Sequence, residues 1–171
     1  MRCTTGMMMV FAIVTTLTSP TFAAEPRLLE THGDWTAYVL IEDGSKVCYM
    51  ASRPQKEEGN YTQRGEIVAL VMHRPAEGTN NVFSYIAGYP YKDGSDAAVA
   101  IGNKHFTLFT QNERAWARDD ETDNRLVQAI RAGSEMTVKG TSSRGTATTD
   151  TFSLTGSAAA YAAISKACKV K

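Results

Sequence analysis

The sequence predicts a mainly β protein, an antiparallel β-sandwich with two short helices late in the chain. Three observations carry that prediction. Short segments alternate apolar and polar residues along most of the chain, the period of a half-buried strand. Turn dipeptides separate them, with Asp43-Gly44 and Asp93-Gly94 as the clearest. After residue 119 the period changes to that of a helix, and it does so again after Gly156. Eight or nine strands at hairpin spacing with two late helices fit a sandwich.

The first 24 residues read as an export leader rather than as part of the fold. Arg2 gives a short positive start, Met7 to Leu17 is mostly apolar, and Pro20 breaks the run. Thr21-Phe22-Ala23 places small residues where a signal peptidase cuts, so cleavage is expected near Ala23 or Ala24. The run is shorter than the about 20 residues needed to span a bilayer. Residues 25–171 then form one domain by length, long enough to bury a core unaided. No later segment is long and apolar enough to cross a membrane. The leader places the protein in the periplasm, in the medium or at the outer membrane.

The chain holds 18 basic and 18 acidic residues, and loss of Arg2 shifts that balance by one. Near-neutrality argues against a nucleic-acid partner, which needs a basic face. Cys3 leaves with the leader. Cys48 and Cys168 remain, and in an oxidising compartment one intramolecular bridge is the default. Two buried free thiols are the alternative. The bridge would close a long loop and contribute about 4–5 kcal/mol by chain entropy.

In order, Glu25 to Thr31 is polar and reads as a loose lead-in. Trp35 to Ile41 alternates as a strand, Asp43-Gly44 turns, and Lys46 to Ser52 returns with Cys48 and Met50 on one face. Pro54 to Arg64 is a charged loop. The continuous apolar run in Glu66 to His73 fits a central strand buried on both faces. Val82 to Ala87 is another strand, then Gly88 to Ser95 a loop. Ala97 to Ile101 and His105 to Thr110 form a hairpin, and Trp116 lies in a short strand. The acids from Asp119 to Asp123 start a helix, Leu126, Val127 and Ile130 stripe it, and Gly133 suits a left-handed cap. Met136 to Lys139 and Thr146 to Leu154 are strands around a Ser142-Ser143-Arg144-Gly145 turn. Ser157 suits an N-cap, and Tyr161, Ile164 and Cys168 share one face of the last helix.

No catalytic set is legible. His32, His73 and His105 are scattered and lack metal-ligand spacing, with His73 and His105 expected at strand edges. Asp119, Glu121 and Asp123 lack the glycine and distal glutamate of a calcium loop. No nucleophile elbow or phosphate-cradling glycine loop occurs. No metal, cofactor or catalytic residue is therefore assigned. Tyr89-Pro90-Tyr91 and Arg144 are the candidate partner surface: tyrosines bury well and keep a polar tip. Arg144 could fork onto a carboxylate or phosphate, or be a solvated hairpin tip. A small-ligand or hydrolytic cleft using Arg144, His73 or His105 is the rival reading.

The ordered set Gly33-Asp34-Trp35, Ile86-Ala87-Gly88-Tyr89-Pro90, Lys139-Gly140-Thr141-Ser142-x-Arg144-Gly145-Thr146 and Asp150-x-Phe152-Ser153-Leu154-x-Gly156 resembles the invasion-associated locus B family of secreted bacterial proteins. The resemblance covers nearly the whole of residues 25–171. It implies an immunoglobulin-like β-sandwich in the periplasm or cell envelope, named for a role in host-cell invasion. No enzymatic activity or catalytic residue comes with it. The expected function is thus non-enzymatic binding of a protein or envelope partner.

Overall fold

The computed structural model describes residues 25–170. The expected leader, Cys3 included, lies outside them. Eleven strands form one antiparallel sheet and two helices follow its late strands. They are β1 (Arg27–His32), β2 (Trp35–Glu42), β3 (Ser45–Ser52), β4 (Lys56–Gly59), β5 (Val68–Arg74), β6 (Thr79–Ile86), β7 (Asp96–Ile101), β8 (Lys104–Gln111), β9 (Arg114–Trp116), β10 (Glu135–Thr141) and β11 (Ala147–Ser153), with α1 (Asp120–Ala132) and α2 (Ser157–Cys168). The spatial order is β1-β2-β3-β5-β6-β9-β8-β7-β10-β11-β4.

The mainly β, antiparallel, sandwich-like class is as expected, but the two layers belong to one continuous sheet. It folds over so that its far end covers its beginning. Trp35 Nε1 on β2 donates to the Ser153 carbonyl on β11 at 3.0 Å, and Tyr85 on β6 meets Phe152 on β11 edge to face at 6.1 Å. Trp35, Met50, Val71, Phe83, Leu108, Met136 and Phe152 fill the space between at close to zero exposure. Burial of such side chains contributes about 1.5–3 kcal/mol each.

Local chemistry sets the elements. Asp43 and Gly44 both take positive φ, 48° and 76°, which a two-residue hairpin with right-twisted strands requires. Asp119 caps α1 by accepting the Thr122 N–H at 2.7 Å. The final helix docks through its predicted face: Tyr161, Ile164 and Cys168 are buried, and Cys168 is bonded to Cys48 across 120 residues, with Cα atoms 6.0 Å apart.

Several expectations need correction. The lead-in is strand β1, an edge paired to β2 whose weak apolar alternation hid it. The charged loop contains β4, also an edge, exposed at all four positions and therefore without a pattern. β5 is central, but it buries only alternate residues. Gly133 is not left-handed (φ −87°). It is small because a Cβ would sit 2.6 Å from Ile101 Cγ2 and 3.0 Å from Leu154 Cδ1. Gly156, not Ser157, is the N-cap of α2. Ser157 instead donates its hydroxyl to the Ile130 carbonyl at 2.8 Å, tying α2 to the end of α1. His73 is not at a strand edge. It is fully buried in the middle of the sheet.

Candidate functional site

Three segments meet at one end of the sheet. They are residues 60–65 after β4, residues 88–92 after β6, and the turn from β10 to β11. Backbone contacts fix them together. Gly65 N–H donates to the Gly88 carbonyl at 2.9 Å, Ser143 N–H to Pro90 at 2.7 Å, and Lys92 N–H to Thr141 at 3.0 Å. Gly88 must be glycine, because its φ is +70° and a Cβ would meet the Gly65 backbone at van der Waals overlap. Gly140 makes room of another kind: a Cβ there would stand 2.7 Å from both the Tyr89 hydroxyl and Tyr91 Cε1. Between the segments lies a cleft of about 930 Å³, lined in part by Tyr61, Gln63, Arg64, Tyr89, Ser143 and Arg144.

Its floor is a buried ion pair between Arg64 and Asp150. Arg64 Nη1 and Nη2 donate to the two Asp150 carboxylate oxygens at 2.7 Å each. Arg64 Nε donates to the Ala87 carbonyl at 2.7 Å, and Nη2 also reaches the Tyr85 hydroxyl at 3.2 Å. The Tyr85 hydroxyl donates in turn to Asp150 Oδ2. The Arg64 side chain is 3% exposed and that of Asp150 1%. Taking both charges out of water is costly, and this two-pronged geometry, with four of the five guanidinium N–H groups used, offsets it. The guanidinium also lies 4.8 Å from the Tyr89 ring centre and 5.4 Å from that of Tyr61, an attraction to the ring quadrupoles.

The titration behaviour follows from this packing. Burial alone would lower the Arg64 guanidinium, but the hydrogen bonds and charge of Asp150 hold it above its ordinary value. Burial, then the neighbouring Asp150 charge, pushes the Tyr85 phenol up, so it stays protonated as a donor. Burial likewise raises Tyr91 and Tyr89. The floor is a closed, neutral unit whose protons are firmly held. General acid–base chemistry needs a group poised near the working pH, and Arg64 and the three tyrosines are shifted away from it.

The rim is different. Arg144 is exposed and makes no ion pair among the described residues. Tyr61 is half-buried, and Gln63 and Ser143 are exposed. Tyr89 is half-buried, with its hydroxyl 2.6 Å from Thr148 Oγ1. The structure therefore brings Tyr89 and Arg144 of the candidate surface to one cleft. Tyr91 is a correction. It is 5% exposed, pairs with Ser142 and packs edge to face under Tyr89 at 5.3 Å, so it supports the cleft wall instead of meeting a partner.

The histidines are not brought to the cleft. His73 lies on the inner face of β5, where Nδ1 accepts the Asn81 N–H at 3.1 Å and Nε2 is 3.1 Å from Ser165 Oγ. Burial lowers it to about 4, so its ring is neutral. His105 is exposed on β8. A hydrolytic centre joining Arg144 to either histidine is thereby overturned. Among the described residues, no three His, Cys, Asp or Glu side chains gather as metal ligands.

Sequence reasoning missed Arg64, Asp150, Tyr61 and Gln63. The one available signal was Asp150 itself, an acid at an inward position between Thr148 and Phe152 on a strand, which demands a buried cation.

Comparison with known proteins now bears on this geometry. A comparison with curated proteins gives no match. The fold is similar to the crystal structure of invasion associated protein B from Bartonella henselae, with a TM-score of 0.58 and 19% identity over 82% of this chain and 96% of that one. The model of the invasion associated locus B (IalB) protein family matches residues 35–165, which takes in every strand from β2 to β11, the Arg64–Asp150 floor and the Arg144 rim. The chain belongs to the invasion associated locus B family.

Proposed function

We propose that this is a non-enzymatic binding protein of the bacterial envelope, exported by its N-terminal leader to the periplasm or beyond. It engages a protein or envelope partner through the cleft between residues 60–65, 88–90 and 142–148. A contribution to contact with host cells belongs to the same reading, in keeping with the name of the invasion associated protein B of Bartonella henselae. The observation that carries the proposal is the division of labour in the cleft. The floor ion pair is satisfied by its own neighbours, whereas the rim offers Tyr61, Gln63 and Arg144, which makes no ion pair among the described residues. Tyrosine and arginine are the side chains that most often dominate binding energy at interfaces. The Cys48–Cys168 bridge supports an oxidising compartment.

The test compares the wild-type protein with Arg144→Glu and Gln63→Lys in capture from a native envelope fraction. Species held through the cleft fall at least about tenfold in yield with either variant, the equivalent of about 1.4 kcal/mol. Undiminished capture by both variants, or enzyme-like turnover of an envelope substrate, overturns the reading.

A further inference from the structure

The chemistry of the Arg64 cleft narrows what it can hold. Among the described residues that line it there is no Asp, Glu or Lys, and no Val, Leu, Ile, Met, Phe or Trp. The lack of large aliphatic side chains argues against a folded protein as occupant, because protein interfaces centre on an apolar core. Hydroxyls, amides, two phenol rings and Arg144 make up the wall instead.

These polar groups are of two kinds. Some are used inside the fold: Arg64 on Asp150, Tyr85 and Ala87, the Tyr89 hydroxyl with Thr148, and Ser142 Oγ with the Thr146 N–H. Asn60, Thr62, Gln63, Ser143 and Arg144 enter none of these bonds and are exposed. Side-chain amides and hydroxyls between them both donate and accept, the pattern that a sugar hydroxyl presents in return. Arg144 adds a fork of donors for one anionic group.

The two rings are fixed before any ligand arrives. Tyr61 lies over Gly59, where a Cβ would come within 2.8 Å of its ring, and 5.4 Å from the Arg64 guanidinium. Tyr89 lies 4.8 Å from the same guanidinium, with its hydroxyl held against Thr148 and over Gly140. Rings held in this way lose little freedom on binding, and the negative face of an aromatic ring attracts the polarised C–H groups of a pyranose.

We propose that the cleft is a glycan site selective for sugar rings that carry a carboxylate. The rings pack on Tyr61 and Tyr89, the amides and hydroxyls of the rim take up sugar hydroxyls, and Arg144 forks onto the carboxylate. This inference rests on the cleft reading above and names the chemistry of its partner. Charge selects the anion. Asp150 neutralises Arg64, so Arg144 gives the site one net positive charge, a match for one carboxylate. A phosphate monoester carries about −1.5 to −2 at neutral pH and would stay under-compensated. The cleft's volume of about 930 Å³ is at the upper end of the about 300–1,000 Å³ of ligand sites, room for more than one ring.

The full chain, expressed with its own N-terminus in a Gram-negative host and purified without reductant, is titrated by calorimetry with two disaccharides. N-acetylglucosaminyl-N-acetylmuramic acid bears a single carboxylate, and N,N′-diacetylchitobiose has the same rings without it. Trigalacturonic acid repeats the test with uronic acid rings. The acidic probes should bind with Kd between about 1 μM and 1 mM, and the acidic disaccharide at least about tenfold tighter than the neutral one. Arg144→Gln should weaken the acidic disaccharide at least about tenfold and the neutral one less than about threefold, so the preference collapses. His105→Ala, on β8 outside the cleft, should change neither. No binding of either acidic probe at millimolar concentration, or equal affinity for the acidic and neutral disaccharides, overturns the glycan assignment. If capture from the envelope fraction still falls with Arg144→Glu in that case, the cleft reading stands with a protein as its partner. If capture is also undiminished, both fall.

Discussion

Arg64→Met is the sharpest perturbation of the cleft floor. Methionine keeps much of the aliphatic stem and packing volume but removes the charge and all donors. Four hydrogen bonds are lost, to Ala87, to both oxygens of Asp150 and to Tyr85. Asp150, 1% exposed, is left with the Tyr85 hydroxyl alone. Breaking a buried pair by removing one partner costs about 3–5 kcal/mol, because a charge is stranded. The lost contacts with Tyr61 and Tyr89 add about 0.5–2 kcal/mol. The expected total, about 3.5–7 kcal/mol, is a large part of the about 5–15 kcal/mol typical of a whole domain. Asp150→Asn strands the guanidinium instead and should cost a similar amount. The double variant Arg64→Met/Asp150→Asn strands neither charge, so its cost should fall at least about 2 kcal/mol short of the sum. Urea unfolding followed by the fluorescence of buried Trp35 reads all three. A cost below about 1 kcal/mol for Arg64→Met, or strict additivity in the cycle, would refute the view that this pair is a closed, mutually dependent unit.

Three further outcomes follow from other parts of the structure. Reduction, or Cys48→Ala with Cys168→Ala, removes a crosslink across 120 residues and should cost about 5 kcal/mol by the loop-entropy relation, measured as a drop in urea midpoint. His73 and Asp123 should tilt the pH profile in opposite senses. His73 is lowered by burial to about 4, so the unfolded chain binds that proton more readily and stability falls as pH drops from about 6.5 to 4. Asp123 is raised to about 6, mainly by burial and then by Asp120 and Asp119, against the Phe83 N–H that it accepts. The folded state then holds the proton and stability falls as pH rises from about 4 to 6. His73→Gln should therefore make acid conditions relatively kinder, and Asp123→Asn relatively harsher, each by up to about 3 kcal/mol; parallel shifts in chemical denaturation at pH 4 and pH 7 would contradict the assignment. Gly156→Ala should cost well over 1 kcal/mol, since Gly156 has φ +88° and a Cβ would fall on the His32 carbonyl. A thermal midpoint within a degree of wild type would show that β1 yields freely.

The parts of the fold legible in the sequence are those with local causes. The hairpin at Asp43-Gly44, the acidic cap at Asp119 and the buried stripe ending in Cys168 each depend on a few adjacent residues. β4 had no such cause. Lys56 to Gly59 are all exposed, so β11 alone imposes the strand. The candidate site divides along the same line. Arg144 and Tyr89 stand out as an arginine and a tyrosine among turn residues, and both reach the cleft. Arg64 and Asp150 lie 86 residues apart, and a single charge in a polar loop looks alike whether it will be solvated or buried. Tyr91 looked equivalent to Tyr89, but its bridge to Ser142 turns it inward.

The central claim is that the Arg64-floored cleft is where a partner is met. Site-specific photocrosslinking in living cells tests it most directly, with a photoreactive phenylalanine analogue at Gln63 or Arg144 and, as the control, at exposed His105 on β8, outside the cleft. The account predicts a discrete adduct from both cleft positions and none from His105. No adduct from the cleft, or equal adducts from all three positions, would contradict it.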